Sequence, residues 1–369
     1  MGADTPRAVL LGMLRLERGL GLAAIAKLAD GARFAPEPLT EAEQVQVRDG
    51  TLAGAPPHVA GDYPEWLDPH LARVLGDDRA EEGAALARRA PIDLRVNTIK
   101  ANRDKTAEAL KHLNVAPSRW SPVGLRINVA ADSKNLAIHS EPAFLAGLIE
   151  VQDEGSQLAA LLAGAERGQQ VIDLCAGAGG KTLALAALLK KKGQIYATDL
   201  DKRRLAPIHK RLERAGARNV QVHTPTGKED LLANRHGSAD LVLIDAPCTG
   251  TGTWRRNPDA KWRVRPGALE VRMKEQAAVL DRAAPLVKPG GRIAYVTCSL
   301  LAEENGDQVR GFIDRHPGFA VATPAELLAP LGERALIFRQ AVLLTEEGLQ
   351  MTPRRTDTDG FFVSVLVRR

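Results

Sequence analysis

The sequence has only three cysteines in 369 residues, Cys175, Cys248 and Cys298. An odd number of widely spaced cysteines argues against a disulfide framework. No Cys-x-x-Cys pair is present, and the eight histidines fall outside the segments around the cysteines. Structural zinc is usually held by four Cys or His ligands arranged in close pairs, so we expect no metal. The expected setting is the reducing cytoplasm.

Long hydrophobic runs are also missing. No apolar run reaches the roughly 18 residues that a membrane helix needs. The N-terminal stretch "AVLLGMLRLERGLGLAAIAKLA" is interrupted by Arg15, Glu17 and Arg18. This pattern predicts an amphipathic helix rather than a secretion signal. Pro6 breaks the N-myristoylation pattern, so we expect no membrane partner.

The composition is that of a soluble globular protein with a mild basic bias. Hydrophobic residues make up 44% of the chain, and the net charge is +5 with a pI near 9.1. A basic bias suits a polyanionic partner such as nucleic acid, but many ordinary proteins share it. We expect a monomer.

The first part of the chain predicts helices and then a small mixed module. Residues 1–50 are rich in Ala and Leu, and "DGTLAGAPPHVAGDYP" is a candidate linker. "EWLDPHLARVLG" and "EEGAALARRA" predict two short helices, and "IDLRVNTIKA" predicts a strand before a helix capped by Asn102. We therefore predict a helical region with its linker at 1–85, a β/α RNA-binding module at 86–140 and a catalytic domain at 141–369. Ser156 is the expected start of a helix early in that domain.

From residue 171 onward, short apolar runs alternate with helical segments. The runs are "VIDL", "QIYAT", "VQVH", "LVLI" and "RIAYVT". Continuous rather than alternating apolar strands indicate a parallel sheet buried on both faces. The predicted fold class is a Rossmann-like, doubly wound α/β domain, with the C-terminal "FFVSVLV" as a last, antiparallel strand.

Ligands of such sheets bind beyond the carboxyl ends of the strands. The first, second, fourth and fifth apolar runs each end in chemically active residues. The residues that should gather at this edge are Asp173, Cys175, Asp199, Asp245, Cys248 and Cys298.

The glycine loop "AGAGGKT" follows the first strand. It is not a P-loop, because Cys175 stands where that pattern needs its first glycine, and it lacks the dinucleotide spacing. A tight turn of small residues with Asp199 about twenty residues later suits the ribose of S-adenosylmethionine better than ATP. The alternative is that Asp199 merely caps the following helix. The predicted cofactor-binding residues are Cys175, Ala176, Gly177, Ala178, Gly179, Gly180, Lys181, Asp199, Arg204, Thr226, Asp245 and Pro247.

The paired cysteines suit covalent chemistry on a pyrimidine. C5 of the base becomes nucleophilic only after a thiolate adds to C6. Asp245 could act at N3 if protonated, or accept from the exocyclic amino group of cytosine if ionised. Lys181 could orient Asp245 or lower the pKa of a thiol. A second thiol could remove the C5 proton, but the spacing does not rank Cys248 and Cys298.

Three segments together resemble the RNA cytosine-C5 methyltransferases of bacteria and eukaryotes, the family that includes the Sun proteins and rRNA-methylase B. They are "DLCAGAGGKT", "DAPCTGTGTWRRNPDAKWR" and "VTCSL". "EVQDEGSQLAALL", "TPRRTDTDGFFVSVLVRR" and "LRVNTIKANRDK" are similar to further family segments, so the resemblance extends over roughly residues 90 to 369. It implies that Cys298, in Thr-Cys, is the nucleophile and that Cys248, in Pro-Cys, assists product release.

Two departures from the family pattern stand out. The glycine turn commonly reads Ala-Ala-Pro-Gly-Gly in the family, whereas Gly177 and Ala178 stand at its second and third positions here. We expect this to alter turn rigidity more than chemistry. After the third strand the family often has an acid near the adenine, and this sequence offers Thr226.

The segment "TWRRNPDAKWRVR" follows the Pro-Cys loop and is a candidate RNA contact. Arginine and lysine neutralise phosphates, and an indole can stack on an unpaired base. The alternative is a solvated loop with its tryptophans tucked into the domain. The predicted RNA-binding residues are Arg255, Arg256, Lys261, Trp262 and Arg263.

The function predicted from the sequence is S-adenosylmethionine-dependent methylation of cytosine C5 in RNA, with 16S rRNA as the expected substrate. Only about 90 residues precede the RNA-binding module, so the helical N-terminal domain of many relatives is expected to be reduced or absent. That leaves tRNA open as the substrate. A non-catalytic RNA-binding ribosome assembly factor is the alternative from another class, and the intact cysteine pair argues against it.

Overall fold

The computed structural model describes residues 5–129, 136–190, 192–225 and 232–369. The chain divides into two compact units, residues 1–60 and 61–369. The first unit is helical, as predicted, and packs around buried Leu11, Ile25 and Val47. Its α-helices are Pro6–Gly12, Leu22–Leu28, Glu41–Asp49 and Pro57–Ala60, with a π-helical turn at Met13–Glu17.

A group of short helices opens the second unit. They are the 3₁₀ turns Glu65–Leu67 and Gly76–Asp78 and the α-helices Asp68–Leu75 and Arg79–Ala87. Leu67, Leu71 and Leu86 are buried in a cluster that also contains Trp254. The two short helices predicted from the sequence are thus confirmed.

A small antiparallel sheet follows. Its strands are β1 (Ile92–Val96), β2 (Ala116–Pro117), β3 (Gly124–Ile127) and β4 (Ile149–Val151), in the order β2-β3-β1-β4. The helix Arg103–Ala109 begins at Asn102, whose side chain accepts hydrogen bonds from the backbone of Asp104 and Lys105. Asn102 is therefore the N-cap, as predicted. Because β4 pairs with β1, the sheet extends beyond residue 140, where we placed the end of this module.

The large sheet has the Rossmann-like architecture that the apolar runs predicted. Its strands are β5 (Gln170–Asp173), β6 (Gln194–Thr198), β7 (Val220–His223), β8 (Ala239–Asp245), β9 (Val287–Thr297), β10 (Phe319–Val321), β11 (Leu343–Leu344), β12 (Leu349–Met351) and β13 (Phe361–Arg368). They run in the order β11-β12-β13-β9-β8-β5-β6-β7, with β10 also paired to β13. Strands β5 to β9 pair in parallel, and β13 pairs antiparallel with β9.

Helices cover both faces of this sheet, because its strands carry apolar side chains on both sides. One core contains Leu158, Leu243 and Val363, and the other contains Ile172, Ile244 and Phe312. The α-helices of this domain are Glu154–Leu162, Gly180–Leu188, Lys202–Leu205, Ile208–Ala215, Ala260–Arg263, Pro266–Ala283, Gly306–Arg315, Pro324–Leu328, Ala335–Ala341 and Pro353–Thr356. Within the described residues, no helix is long and apolar enough to cross a membrane.

The helix expected to start at Ser156 begins two residues earlier. Asp153 is its N-cap, and the Asp153 side chain accepts a hydrogen bond from the backbone N–H of Gly155. The Ser156 hydroxyl lies inside the helix and accepts instead from Gln152 Nε2. Asp and Ser are comparably good caps, and here the capping geometry belongs to the aspartate.

Candidate functional site

The carboxyl ends of β5, β8 and β9 lie side by side, because these strands are parallel neighbours. Each of the three cysteines follows one of them, and all three are free thiols. Among the residues that the structure describes, no group of three or more His, Cys, Asp or Glu side chains could hold a metal ion. The chemical groups that this edge offers include thiols, carboxylates and a lysine.

Cys248 and Cys298 form a thiol pair. Their sulfur atoms are 3.3 Å apart, within hydrogen-bonding distance, although fifty residues separate them in the chain. The loop after β8 is tied to the end of β9 by a hydrogen bond from the Gly252 N–H to the Cys298 carbonyl. The hydrogen bond with Cys298, together with burial, raises the pKa of the Cys248 thiol well above its ordinary value. The Cys248 thiol therefore keeps its proton more strongly than an ordinary cysteine does.

Cys175 lies apart from this chemistry. Its side chain packs against the core on one face of the sheet. Burial, with the nearby Asp173 carboxyl, raises the pKa of the Cys175 thiol well above its ordinary value. A thiol that stays protonated is a poor nucleophile, so a supporting position beside the glycine turn suits Cys175 better than catalysis.

Lys181 and Asp245 form an ion pair beside the thiols. Lys181 Nζ is 2.8 Å from Asp245 Oδ2, and the lysine side chain is 7% exposed. The ammonium group also lies 4.9 Å from the ring centre of Phe361. The Lys181 ammonium donates to Asp245 Oδ2, so this oxygen acts as a hydrogen-bond acceptor in the structure. Of the two roles open to Asp245, acceptance from an exocyclic amino group fits this geometry better than donation to N3.

The glycine turn is held tightly between β5 and the helix Gly180–Leu188. Gly177 and Gly179 have positive φ of 49° and 86°. A Cβ on Gly179 would lie 2.5 Å from Ile208 Cγ1, so this position requires glycine. The Ala176 N–H donates to the Thr198 carbonyl, and the Ala178 carbonyl accepts from Arg211. These backbone contacts fix the path of the turn on both sides of Gly177.

Asp199 anchors that turn instead of capping a helix. Its Oδ2 accepts from the Gly177 N–H at 3.0 Å, and its Oδ1 accepts from the Asp201 N–H at 2.9 Å. Asp201, not Asp199, is the N-cap of Lys202–Leu205. Arg204 is exposed, and its Nη2 lies 3.8 Å from the position that a Cβ on Gly177 would take. Each carboxylate oxygen of Asp199 retains a second lone pair for a ligand hydroxyl.

Two further predicted cofactor-binding residues are Pro247 and Thr226. The Pro247 carbonyl accepts from Gln276 Nε2 at 2.9 Å, which fixes the start of the Pro-Cys loop. Thr226, offered by the sequence for the adenine pocket, lies outside the described residues.

Asp173 is a site residue that we did not single out for a role. It is fully buried and accepts a 2.7 Å hydrogen bond from the Thr182 hydroxyl, while its Oδ1 has no partner among the described residues. Burial raises the pKa of Asp173 to about 7, with the hydrogen bond from Thr182 opposing the rise and the Asp245 charge adding to it. A carboxyl beneath the glycine turn can thus carry a proton near neutral pH.

Three cations of the basic segment after the Pro-Cys loop form ion pairs within the protein. The side chain of Arg255 is 3% exposed and pairs with Asp359 and Asp153. Arg256 pairs with the same two carboxylates, and Lys261 is buried against Asp62. Arg255 and Lys261 are buried in these pairs, which gives them a structural role, whereas Arg256 is exposed despite its pairs and its contact with RNA stays a prediction.

Trp262 and Arg263 of that segment lie at the surface. Trp262 is 52% exposed, whereas Trp254 is buried. The Arg263 side chain is 78% exposed and pairs with Asp259 one helical turn away. Contact of Trp262 and Arg263 with RNA stays a prediction.

Glu304 is a second residue that the sequence reasoning missed. It follows β9 in the turn Ala302–Glu304, is fully buried, and accepts from the residues next to both paired cysteines, Thr249 and Ser299. The only sequence signal was an acid a few residues beyond "VTCSL". Acidic residues in such turns are mostly exposed, so this signal did not indicate that Glu304 is buried.

Comparisons with known proteins agree with this geometry. Residues 159–367 match the family model of the 16S rRNA methyltransferase RsmB/F, and residues 63–134 match the ferredoxin-like domain of RsmF/B-like methyltransferases. The chain is similar to the probable ribosomal RNA small subunit methyltransferase B of Synechocystis, with 32% identity over 82% of this chain and 66% of the relative. Similarity to ribosomal RNA small subunit methyltransferase B of Citrobacter koseri is 31% over 83% of this chain and 67% of the relative.

The fold is also that of a solved methyltransferase homologue from Pyrococcus horikoshii. That structure shares a TM-score of 0.66 and 25% identity, covering 85% of this chain and 98% of its own. The chain spans about two thirds of the length of the curated relatives that it matches. The family model alone covers more than half of the sequence. The chain therefore belongs to the 16S rRNA methyltransferase RsmB/F family, as its cysteine motifs predicted.

Proposed function

We propose that this protein methylates C5 of a cytosine in RNA, with 16S rRNA as substrate and S-adenosylmethionine as methyl donor. The observation that carries the proposal is the thiol pair Cys248–Cys298, which stands at 3.3 Å on the same sheet edge as the ion pair Lys181–Asp245. Family membership supports a methyltransferase, and its relatives named as ribosomal RNA small subunit methyltransferases support ribosomal RNA as the substrate.

Cys298 is the proposed nucleophile. Its sulfur forms a bond to C6 of the base, and the electron pair displaced from the ring makes C5 nucleophilic. The adjacent Cys248 can donate its S–H to the Cys298 sulfur, and a donated hydrogen bond stabilises negative charge on that sulfur. The arrangement thus prepares one thiol for attack while the other keeps its proton.

Cys248 is proposed to serve in release. After C5 carries its methyl group, the C5 proton leaves to a base and the S–C6 bond breaks, which returns Cys298 as a thiolate. Cys248 first loses its S–H proton to solvent, and its thiolate then takes the C5 proton while the C5–H electron pair re-forms the C5=C6 double bond. Its raised pKa makes its thiolate a strong proton acceptor. This gives the two cysteines different tasks although they touch.

Asp245 is proposed to recognise the base. Its carboxylate, paired with Lys181, would accept from the exocyclic amino group, which cytosine has and uracil lacks. Lys181 orients the carboxylate and compensates its charge. This pair would therefore contribute to the choice of cytosine.

The residues of the glycine turn fit the methyl donor. S-adenosylmethionine, when bound, supplies the methyl group on a positively charged sulfur. Asp199 has lone pairs for ribose hydroxyls, and Gly177 leaves room between Asp199 and Arg204 that a Cβ would narrow. Cys175, Ala176, Gly179 and Pro247 complete the proposed binding surface.

The target cytosine must leave any stack to reach the thiols, so the proposed substrate is single-stranded or flippable RNA. Trp262 and Arg263 are exposed on the segment after the Pro-Cys loop. We propose that they contact the RNA close to the reacting base.

The test is a denaturation-resistant protein–RNA adduct formed with 16S rRNA and methyl donor. Cys248→Ala should accumulate the adduct because release is blocked, and Cys298→Ala should abolish it. The Cys248→Ala/Cys298→Ala double variant, which should form none, is the control. Accumulation by Cys298→Ala instead would refute the assignment of roles, and an adduct from neither single variant would refute covalent catalysis.

The RNA is identified by bisulfite sequencing of cells with and without the protein. Loss of one protected cytosine in 16S rRNA is the expected result. Loss in tRNA alone would contradict the proposed substrate while leaving the chemistry intact.

A further inference from the structure

Glu304 is a buried carboxylate that joins the two cysteine loops. Its Oε1 accepts from the Thr249 N–H at 2.8 Å and from Gln276 Nε2 at 3.0 Å. Its Oε2 accepts from the hydroxyls of Thr249 and Ser299. Thr249 directly follows Cys248, and Ser299 directly follows Cys298. One side chain is thus bonded to the residue after each thiol.

The same network reaches the other side of Cys248. Gln276 Nε2 donates to the Pro247 carbonyl as well as to Glu304. The Tyr295 hydroxyl donates to the Glu304 carbonyl, which fixes the backbone that carries the carboxylate. Pro247 and Thr249, the residues on either side of Cys248, therefore both belong to the hydrogen-bond network of Glu304.

The way this carboxylate is stabilised points to positioning. Within the described residues, the four donors to its oxygens are uncharged amide or hydroxyl groups. Its neighbour Glu303, in contrast, pairs with Arg73 and His70. Directed hydrogen bonds from separate segments fix the positions of those segments relative to the carboxylate.

We propose that Glu304 is a positioning residue for both thiols: its carboxylate fixes the two loops so that Cys248 and Cys298 stand within hydrogen-bonding distance. This proposal rests on the covalent function proposed above, and it assigns to Glu304 the coupling of attack to release. The reach of the side chain sets the distance between the thiols, and its charge acts on Cys248.

The charge has a definite sign of effect. The Glu304 carboxylate contributes to raising the pKa of the Cys248 thiol. The rate of release should increase with pH as Cys248 loses its proton. Removal of the Glu304 charge should lower the pKa of Cys248, so this increase in rate should occur at lower pH. A residue that only stabilised the fold would not move this profile.

Two conservative variants separate reach from charge. Glu304→Gln keeps the length, and its amide can still pair with both loops because hydroxyls accept as well as donate. Glu304→Asp keeps the charge but is one methylene too short to bond to both loops at once. The matched control is Glu303→Asp, which shortens the adjacent acid without touching either cysteine loop.

The experiment measures formation and release of the adduct in single turnover, with 16S rRNA and methyl donor. Glu304→Asp should slow release by about tenfold or more, since small misplacements of reacting groups have large effects on rate. Glu304→Gln should stay within about threefold of the wild-type rate but shift the pH dependence of release to lower pH. Glu303→Asp should match the wild type in both measurements.

The possible failures are distinguishable. If the wild type forms an adduct and Glu304→Asp releases product at the wild-type rate, the positioning role is refuted and the proposed function stands. An equal loss in the Gln and Asp variants without a pH shift would also refute it, because a structural defect alone predicts that result. Absence of any adduct from the wild type and from Cys248→Ala would refute the proposed function itself.

Discussion

Lys181 Nζ lies 2.8 Å from Asp245 Oδ2, and this ion pair connects a helix to the end of a neighbouring strand. Lys181 comes from the helix after β5, and Asp245 is the last residue of β8. The pair joins the glycine turn to the Pro-Cys loop, so we expect the carboxylate to depend on the lysine for its orientation.

Lys181→Met should remove the charge while keeping the apolar length of the side chain. We expect methyl transfer to fall by about 10²-fold, the usual effect of deleting one charged or hydrogen-bonding group from a polar site. Adduct formation in the Cys248→Ala background measures the loss at the step that precedes release.

The matched control is Lys288→Met. Lys288 pairs with Asp240 at the opposite end of β8, away from the thiols. A comparable loss of methyl transfer in both variants would show that the Lys181 effect arises from general stability rather than from Asp245.

Asp173 gives the stability a predicted pH dependence. Burial raises the pKa of Asp173 from 3.8 to about 7 in the folded protein. Between these values the folded chain holds a proton that the unfolded chain has released. The free energy of unfolding should therefore fall as pH rises through this window, by roughly 1.4 kcal/mol per pH unit at most.

Asp173→Asn should abolish the decrease in the free energy of unfolding with rising pH, because the amide does not titrate. Between pH 5 and pH 8, the wild type should lose up to roughly 3 kcal/mol relative to the variant, measured by urea unfolding. Asp314→Asn, at an exposed carboxyl, is the control and should follow the wild type. Parallel pH profiles for the wild type and Asp173→Asn would contradict the raised pKa.

The parts of this structure that the sequence could predict depend on local pattern. Continuous apolar runs gave the parallel strands, and a terminal apolar run gave the antiparallel β13. Asn102 was identifiable as a cap because capping is a local interaction. The meeting of Cys248 with Cys298 was also predictable, since parallel strands bring their carboxyl ends to one edge.

The parts that could not be predicted depend on partners distant in the chain. The sequence pattern around Arg255 is that of a surface cation. In the structure, Arg255 instead donates hydrogen bonds to Asp153 and Asp359, which are more than a hundred residues away in the chain. The burial of Glu304 could not be predicted for the same reason, because its hydrogen-bond donors come from three separate segments. Gly252 and Gly360 pack backbone to backbone, with a Cβ on Gly252 lying 2.2 Å from the Gly360 carbonyl oxygen. No local pattern encodes such pairings.

Arg255 and Arg263 should differ in what their loss does. Arg255→Met leaves Asp153 and Asp359 buried with less compensating charge, so we expect a destabilisation of about 3–5 kcal/mol in urea unfolding.

Arg263→Met removes an exposed side chain and should change stability by less than about 0.5 kcal/mol. Arg263→Met should instead weaken RNA binding and reduce the dependence of affinity on salt by about one phosphate contact. Normal stability of Arg255→Met with weakened RNA binding would restore it as an RNA contact, and unchanged binding by Arg263→Met would remove Arg263 from the proposed RNA surface.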